Sequence, residues 1–198
     1  LTILTKEYVK KPNLKLSALI LGFINNLNTV SQLIDHKVES VENPIWFSVV
    51  KYLAVNDTSF NVMVKIGLSS CHYGFEFGLS RYPFPQTKQN SVMNSSLMLS
   101  MSSKIPAVLC SRIGISSMET MVNFLTLIGK MPIIYNCKNY LTFEQIKKTL
   151  DVAEKVNSFI VFKDLDHLNQ DAFNELSIEV LKRKESLPSS VRVFGTYS

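Results

Sequence analysis

The chain has 198 residues, with 21 Lys and Arg against 16 Asp and Glu, and 46% hydrophobic content with 19% charged. That length suits one sizeable domain or a domain with a smaller attached piece, and the composition excludes a disordered chain. The net charge of +5 is spread thinly, with seven basic and five acidic side chains up to Ser70, five and two up to Tyr135, and nine of each beyond. Basic groups are not gathered into a stripe with aromatic residues between them, which argues against a nucleic-acid partner.

The longest apolar run, Leu16 to Ile24, is too short to span a membrane and ends at Asn25 and Asn26. Three scattered cysteines, Cys71, Cys110 and Cys137, support neither a disulfide framework nor a Cys-x-x-Cys metal site. A reducing, cytoplasmic setting fits them. The first residue is Leu, so the chain is expected to be a piece of something longer.

In chain order, apolar residues at helical spacing from Leu14 to Val38 predict a long helix. Pro44 breaks the chain, and Trp46, Val49, Val50 and Leu53 predict a second, short helix. Phe60, Val62, Val64, Ile66 and Leu68 alternate as a half-buried strand, and His72 to Gly78 reads as another strand bounded by glycine. Residues Arg81 to Lys104 form a connector rich in Ser, Asn and Met, with Val92, Leu97 and Met101 striping a weak helix.

Short apolar runs then alternate with helical segments. Ala107–Cys110, Pro132–Asn136, Ser158–Phe162 and Val191–Phe194 read as strands. Between them lie helices from Met118 to Ile128, from a capping box at Thr142 and Gln145 to Val156, and from a cap at Asn169 to Lys184. This alternation predicts an α/β fold with a parallel sheet covered on both faces. The last strand coincides with the chain end, so the fold is expected to be truncated.

In such a sheet ligands bind at the loops after the strands. The loop Ser111 to Thr120 leads into a helix as a phosphate loop does. On spacing alone it offers one glycine, Gly114, and no Lys, which does not define a nucleotide site.

Six segments in order resemble the dynein heavy chain, across the end of its linker and its first AAA+ module. Trp46 with Val50, Lys51 and Tyr52 is similar to W-x-x-x-L-R-Y, and Tyr73 to Phe77 with Gly78 to Y-G-Y-E-Y-x-G. Pro85 and Thr87 fall in the T-P-L-T-D-R segment, and Ser111 to Thr120 takes the place of G-P-A-G-T-G-K-T-E-T. Ile133 to Cys137 resembles V-V-F-N-C, and Phe162 to His167 resembles F-D-E-F-N-R.

The resemblance implies a P-loop AAA+ sheet at 81–198, incomplete, preceded by a small helical and β linker segment at 1–80. It also implies a damaged ATPase site. Pro85, Thr87, Gly114, Glu119 and Thr120 keep nucleotide-binding positions, whereas Ser116 replaces a glycine, Ser117 the Lys, and Met118 the Mg²⁺-binding Thr. A serine supplies no cation for the phosphates and a thioether is a poor ligand for Mg²⁺. Losing the Lys alone removes charge-assisted hydrogen bonds worth about 1.5–3 kcal/mol each, tenfold or more in affinity.

Lys163 and Asp164 stand at the family's metal-binding Asp and catalytic Glu, and Tyr197 stands at its sensor Asn. Phosphoryl transfer depends on positioned charge around the γ-phosphate. The resemblance therefore implies a structural or regulatory AAA+ module with ATP hydrolysis impaired or lost, and ATP and Mg²⁺ weakly bound or absent. The alternative is a working minus-end-directed microtubule motor subunit, with catalysis retained here or in other modules. Implied partners are further AAA+ modules, and dynein subunits and microtubules through regions beyond this chain. The implied location is cytoplasmic and cytoskeletal, including the ciliary axoneme.

The remaining candidates have simpler readings. Asp164, Asp166 and Asp171 suit a solvated loop and a helix first turn. His36, His72 and His167 share no spacing, and Cys137 reads as a small core hydrophobe.

Overall fold

A computed structural model describes residues 2–10, 13–55, 61–76, 87–111, 117–138, 141–183 and 193–197. Two helices open the chain, α1 (Thr2–Lys10) and α2 (Leu14–Asp35). Asn13 starts the second, its Oδ1 accepting the Lys15 N–H at 2.9 Å. Asn43 likewise caps the short α3 (Pro44–Ser48), with Pro44 in its first turn, where the absent N–H costs nothing.

An antiparallel sheet follows, made of β1 (Lys51–Ala54), β2 (Val62–Ile66) and β3 (Ser69–His72) in that order. Leu53 therefore belongs to a strand and not to the predicted short helix, because α3 ends at Ser48 and the chain turns extended at Val49. Ile66 pairs with Ser69 across a two-residue turn. Gly67 opens that turn at φ +63°, the left-handed conformation a tight hairpin needs. Leu68, expected at the end of a strand, is the turn's second residue and 88% exposed. The strand predicted over His72 to Gly78 is displaced: β3 ends at His72, Tyr73 to Glu76 run on outside it, and 77–78 fall outside the described residues.

The segment expected to hold only a weak helix contains the 15-residue α4 (Lys88–Ser102). Thr87 caps it, its Oγ1 accepting the Asn90 N–H at 3.2 Å. Leu97, Met98 and Met101 are buried on one side. Beyond it come β4 (Ala107–Cys110), α5 (Ser117–Leu127), β5 (Pro132–Asn136), α6 (Phe143–Val156), β6 (Phe159–Lys163), α7 (Gln170–Arg183) and β7 (Val193–Tyr197). The Thr142 and Gln145 capping box forms as expected, and Asn169 Oδ1 accepts the Ala172 N–H at 2.7 Å.

The second sheet is parallel, ordered β4-β7-β6-β5. The chain thus steps from β4 to the far edge and then returns strand by strand. Parallel crossovers are almost always right-handed, so connections running in opposite directions lie on opposite faces. The cores reflect this. Phe159 and Val161 of β6 join Met121, Phe124 and Leu125 of α5, the buried side of α4, and Val64 and Ile66 of β2. Ile160 and Phe162 join Ile146, Leu150 and Ala153 of α6 with Ala172, Leu176 and Val180 of α7. The antiparallel sheet therefore shares its core with the parallel one through β2 and α4.

Four helices end in the same way. Paired hydrogen bonds close α2, α4, α5 and α6 onto one left-handed residue each, Lys37, Lys104, Gly129 and Asn157, with φ of 48°, 56°, 70° and 57°. Among the described residues no helix is long and apolar enough to cross a membrane.

Candidate functional site

The carboxyl ends of β4, β7 and β6 define one edge of the parallel sheet. Cys110 ends β4 opposite Tyr197 at the end of β7, and Lys163 ends β6 opposite Asn136 of β5. The chain leaves β4 toward α5 on one face and β6 toward α7 on the other, and in sheets of this kind ligands bind where two such connections part. Strand spacing puts β4 and β6 about 10 Å apart across β7. The sheet thus brings Ser117 to Thr120, Lys163 with Asp164, and the Tyr197 backbone to one end. Pro85, Gly114 and Ser116 lie outside the described residues.

The first turn of α5 offers little to an anion. Ser117 and Thr120 are buried, at 7% and 6% exposure. Met118 packs against the α4/α5 core, so its thioether lies in hydrophobic contact. Glu119 is exposed in the first turn, where its charge favours the helix dipole and repels a phosphate. No basic side chain stands in that turn.

The end of β6 is also poorly suited to an anion with its metal. Asp164 adopts φ 57° and ψ 59°, a left-handed conformation uncommon outside glycine and asparagine, and leads into a 3₁₀ turn, Leu165–His167. Its carbonyl accepts the His167 N–H at 3.0 Å, and the Lys163 carbonyl accepts the Cys137 N–H at 2.9 Å. Lys163 Nζ lies 3.7 Å from Asp164 Oδ2, so the two form a self-neutralising pair at the end of β6. Its partial exposure makes it worth little as a stabilising contact.

Burial, then the carboxylates of Asp164 and Asp166, push the Cys137 thiol up to about 12. It is 2% exposed and stays protonated at neutral pH, so it is a core residue and not a nucleophile. Among the described residues no group of His, Cys, Asp or Glu could hold a metal ion.

Thr87 serves as the α4 cap. The same helix carries two buried amides that the sequence reading did not single out, Asn90 at 8% and Asn94 at 0% exposure. Ile105 folds back beside the last turn of α4, its N–H donating to the Ser100 carbonyl at 2.9 Å while Ser100 Oγ donates to the Ile105 carbonyl at 2.6 Å. That reversal starts β4 beside the last turn of α4. The helical spacing of Asn90 and Asn94 from Leu97 and Met101 is the signal by which they could have been found.

A second group joins the Tyr73 to Glu76 segment to the α5–β5 turn. The Gly74 N–H donates to the Ile128 carbonyl and the Glu76 N–H to the Gly129 carbonyl, both at 2.9 Å. Glu76 Oε2 accepts the Met131 N–H at 2.7 Å, and Oε1 pairs with Lys130 Nζ at 2.5 Å. Tyr52 Oη donates to the Leu127 carbonyl at 3.0 Å. The Tyr73 ring stands edge-on to Tyr52 and Phe75, with centroids 6.1 and 4.9 Å away.

These features define an α/β protein with a four-stranded parallel sheet. No family model and no curated protein matches the chain. Among solved structures it is similar to one described as C. elegans PCH-2, at 10% identity and a TM-score of 0.43, covering 57% of this chain and 38% of that one. The chain thus spans well under half of that protein's length.

Proposed function

We propose that the chain is a divergent dynein-type segment, the end of a linker joined to an AAA+ module that serves a structural or regulatory role without hydrolysing ATP. The observation that carries the loss of hydrolysis is Lys163, a cation at the end of β6 paired with Asp164 where metal and water need acids. Met118 packed in the core and Ser117 at the head of α5 support the same reading. These residues do not fit Mg²⁺ or triphosphate, so no catalytic step is assigned to them. The bonds between Glu76, Gly74 and the α5–β5 turn support a linker end held to the module as a fixed scaffold.

Steady-state Mg²⁺-ATP turnover of the purified chain tests this reading, with background rates expected. Turnover that disappears in Asp164→Ala overturns it. The triple variant Ser117→Lys, Met118→Thr, Lys163→Asp is expected to gain ATP-dependent thermal stabilisation that the native chain lacks. Stabilisation of the native chain equal to that of the triple variant also counts against the proposal.

A further inference from the structure

The α2 helix turns polar side chains toward the body of the protein. Asn25, Thr29 and Gln32 recur at helical spacing, are half-buried, and line a cavity of about 480 Å³ together with Trp46, Val50 and Tyr52 of the α3–β1 segment. A helix ordinarily packs its apolar stripe inward, so an inward polar stripe marks a surface built to meet hydrogen-bonding groups. Gly22 lines the same cavity from the interior of α2, where glycine costs helix stability. Its φ is not positive, and a Cβ there would meet nothing within 4 Å, so neither backbone conformation nor close packing requires glycine. What the missing side chain does is keep the wall of the cavity open.

The chemistry of the lining narrows the ligand. Among the described residues no charged side chain lines the cavity. Three of its hydroxyls have committed their protons to backbone carbonyls: Thr29 Oγ1 donates to Asn25 at 2.9 Å, Ser48 Oγ to Ile45 at 2.8 Å and Tyr52 Oη to Leu127 at 3.0 Å. Their oxygens keep lone pairs and therefore accept from a ligand, while the Gln32 amide can both donate and accept. The facing wall is apolar, Trp46 with Val49 and Val50. The nearby Lys51 ammonium is engaged elsewhere, over the Trp46 ring at 4.8 Å from its centroid and bonded to the Trp46 carbonyl. An uncharged ring with O–H donors around its edge and C–H groups on its face matches both walls, which describes a pyranose. A nucleobase edge is richer in acceptors and would meet lone pairs. The volume lies in the range of small-molecule sites.

We propose that the cavity between α2 and the α3–β1 segment binds a neutral saccharide, one pyranose ring lying against Trp46 with its hydroxyls toward Thr29, Gln32 and Tyr52.

Trp46 is the one tryptophan of the chain, so its fluorescence reports occupancy of the cavity directly. Titration of the 198-residue chain with glucose and with maltose is expected to change that emission saturably in the millimolar range. No saturable change with either sugar overturns the proposal. Glucuronate, whose carboxylate finds no cation in the lining, and adenosine are each expected to bind at least about tenfold more weakly than the better sugar. Equal or tighter binding of either one overturns the assignment to a neutral saccharide. Gly22→Leu fills the cavity from the helix side and is expected to abolish the response while keeping or raising the unfolding midpoint. Gln32→Leu removes one hydrogen-bonding amide at similar volume and should raise the dissociation constant about threefold to tenfold. Native affinity in either variant places the sugar elsewhere and overturns the site; should Gly22→Leu lower the midpoint, Gln32→Leu decides alone.

Discussion

Gly129→Ala tests the junction between the Tyr73 segment and the α5–β5 turn. Gly129 sits at φ +70°, where any side chain is strained by about 1–2 kcal/mol. A Cβ there would also lie 2.5 Å from Tyr73 Cζ and 2.7 Å from each Cε of the ring. Tyr73 is held by Tyr52 and Phe75 and by its N–H bond to the Val62 carbonyl at 2.8 Å, so the ring cannot swing away freely. Overpacking of this kind costs about 1–3 kcal/mol. The two contributions together predict a loss of about 2–5 kcal/mol, measured by urea unfolding with both midpoint and slope fitted.

A double-mutant cycle separates the contributions. In a Tyr73→Ala background the ring is gone and only backbone strain remains, so Gly129→Ala should cost about 1–2 kcal/mol there. The difference, about 1–3 kcal/mol, is the coupling between ring and glycine. A Gly129→Ala loss below about 1 kcal/mol, or two losses that simply add, refutes the argument that Tyr73 packs on this turn.

Further outcomes follow from the same structure. Ile160→Ala, at a side chain 0% exposed on the α6/α7 face, should cost about 2–5 kcal/mol, whereas Ile134→Ala on β5, 49% exposed, should cost less than about 1, both by chemical denaturation. Lys37→Gly and Lys104→Gly relieve left-handed strain at helix ends and should each raise stability by up to about 1 kcal/mol, read as a higher unfolding midpoint. Burial raises the Cys71 thiol from 9.0 to about 11, and burial followed by Asp164 and Asp166 raises Cys137 to about 12. Unfolded thiols ionise first, so this stability is complete below pH 9.0 and is lost as pH rises toward about 12. The slope should approach about 1.4 kcal/mol per pH unit per thiol, and Cys137→Ala should remove one thiol's share from a urea series.

The parallel half of the fold was legible because its signals are local. The Thr142–Gln145 box, the Asn169 cap and the unbroken apolar runs of β5 and β6 each declare themselves within a few residues. The α4 helix was under-read because its buried stripe turns from Leu and Met to Asn90 and Asn94 and is diluted by serines. The β1 strand escaped notice because Val50 and Leu53 fit helical spacing from Trp46, and only the pairing of Tyr52 with Val64 and Leu53 with Met63 settles the segment as extended. At the candidate site, Lys163 and Ser117 were visible as residue types, but the pairing of Lys163 with its neighbour Asp164 requires coordinates. Glu76 and its bonds to a turn 54 and 55 residues later could not be found from spacing at all.

The order β4-β7-β6-β5 also governs how the chain must be made. Among the described residues β4 pairs in the parallel sheet with β7, whose Phe194 to Tyr197 meet Ala107 to Cys110 only after β5 and β6 have emerged. Until then β4 has neither edge paired within that sheet, while β5 and β6 can already join. Synthesis on the ribosome therefore carries an apolar strand unpaired through most of the domain's length, a window in which another chain's strand can take its place. Holding translation slow after β7 has emerged cannot shorten that interval; an early-binding chaperone or a lower temperature can protect it.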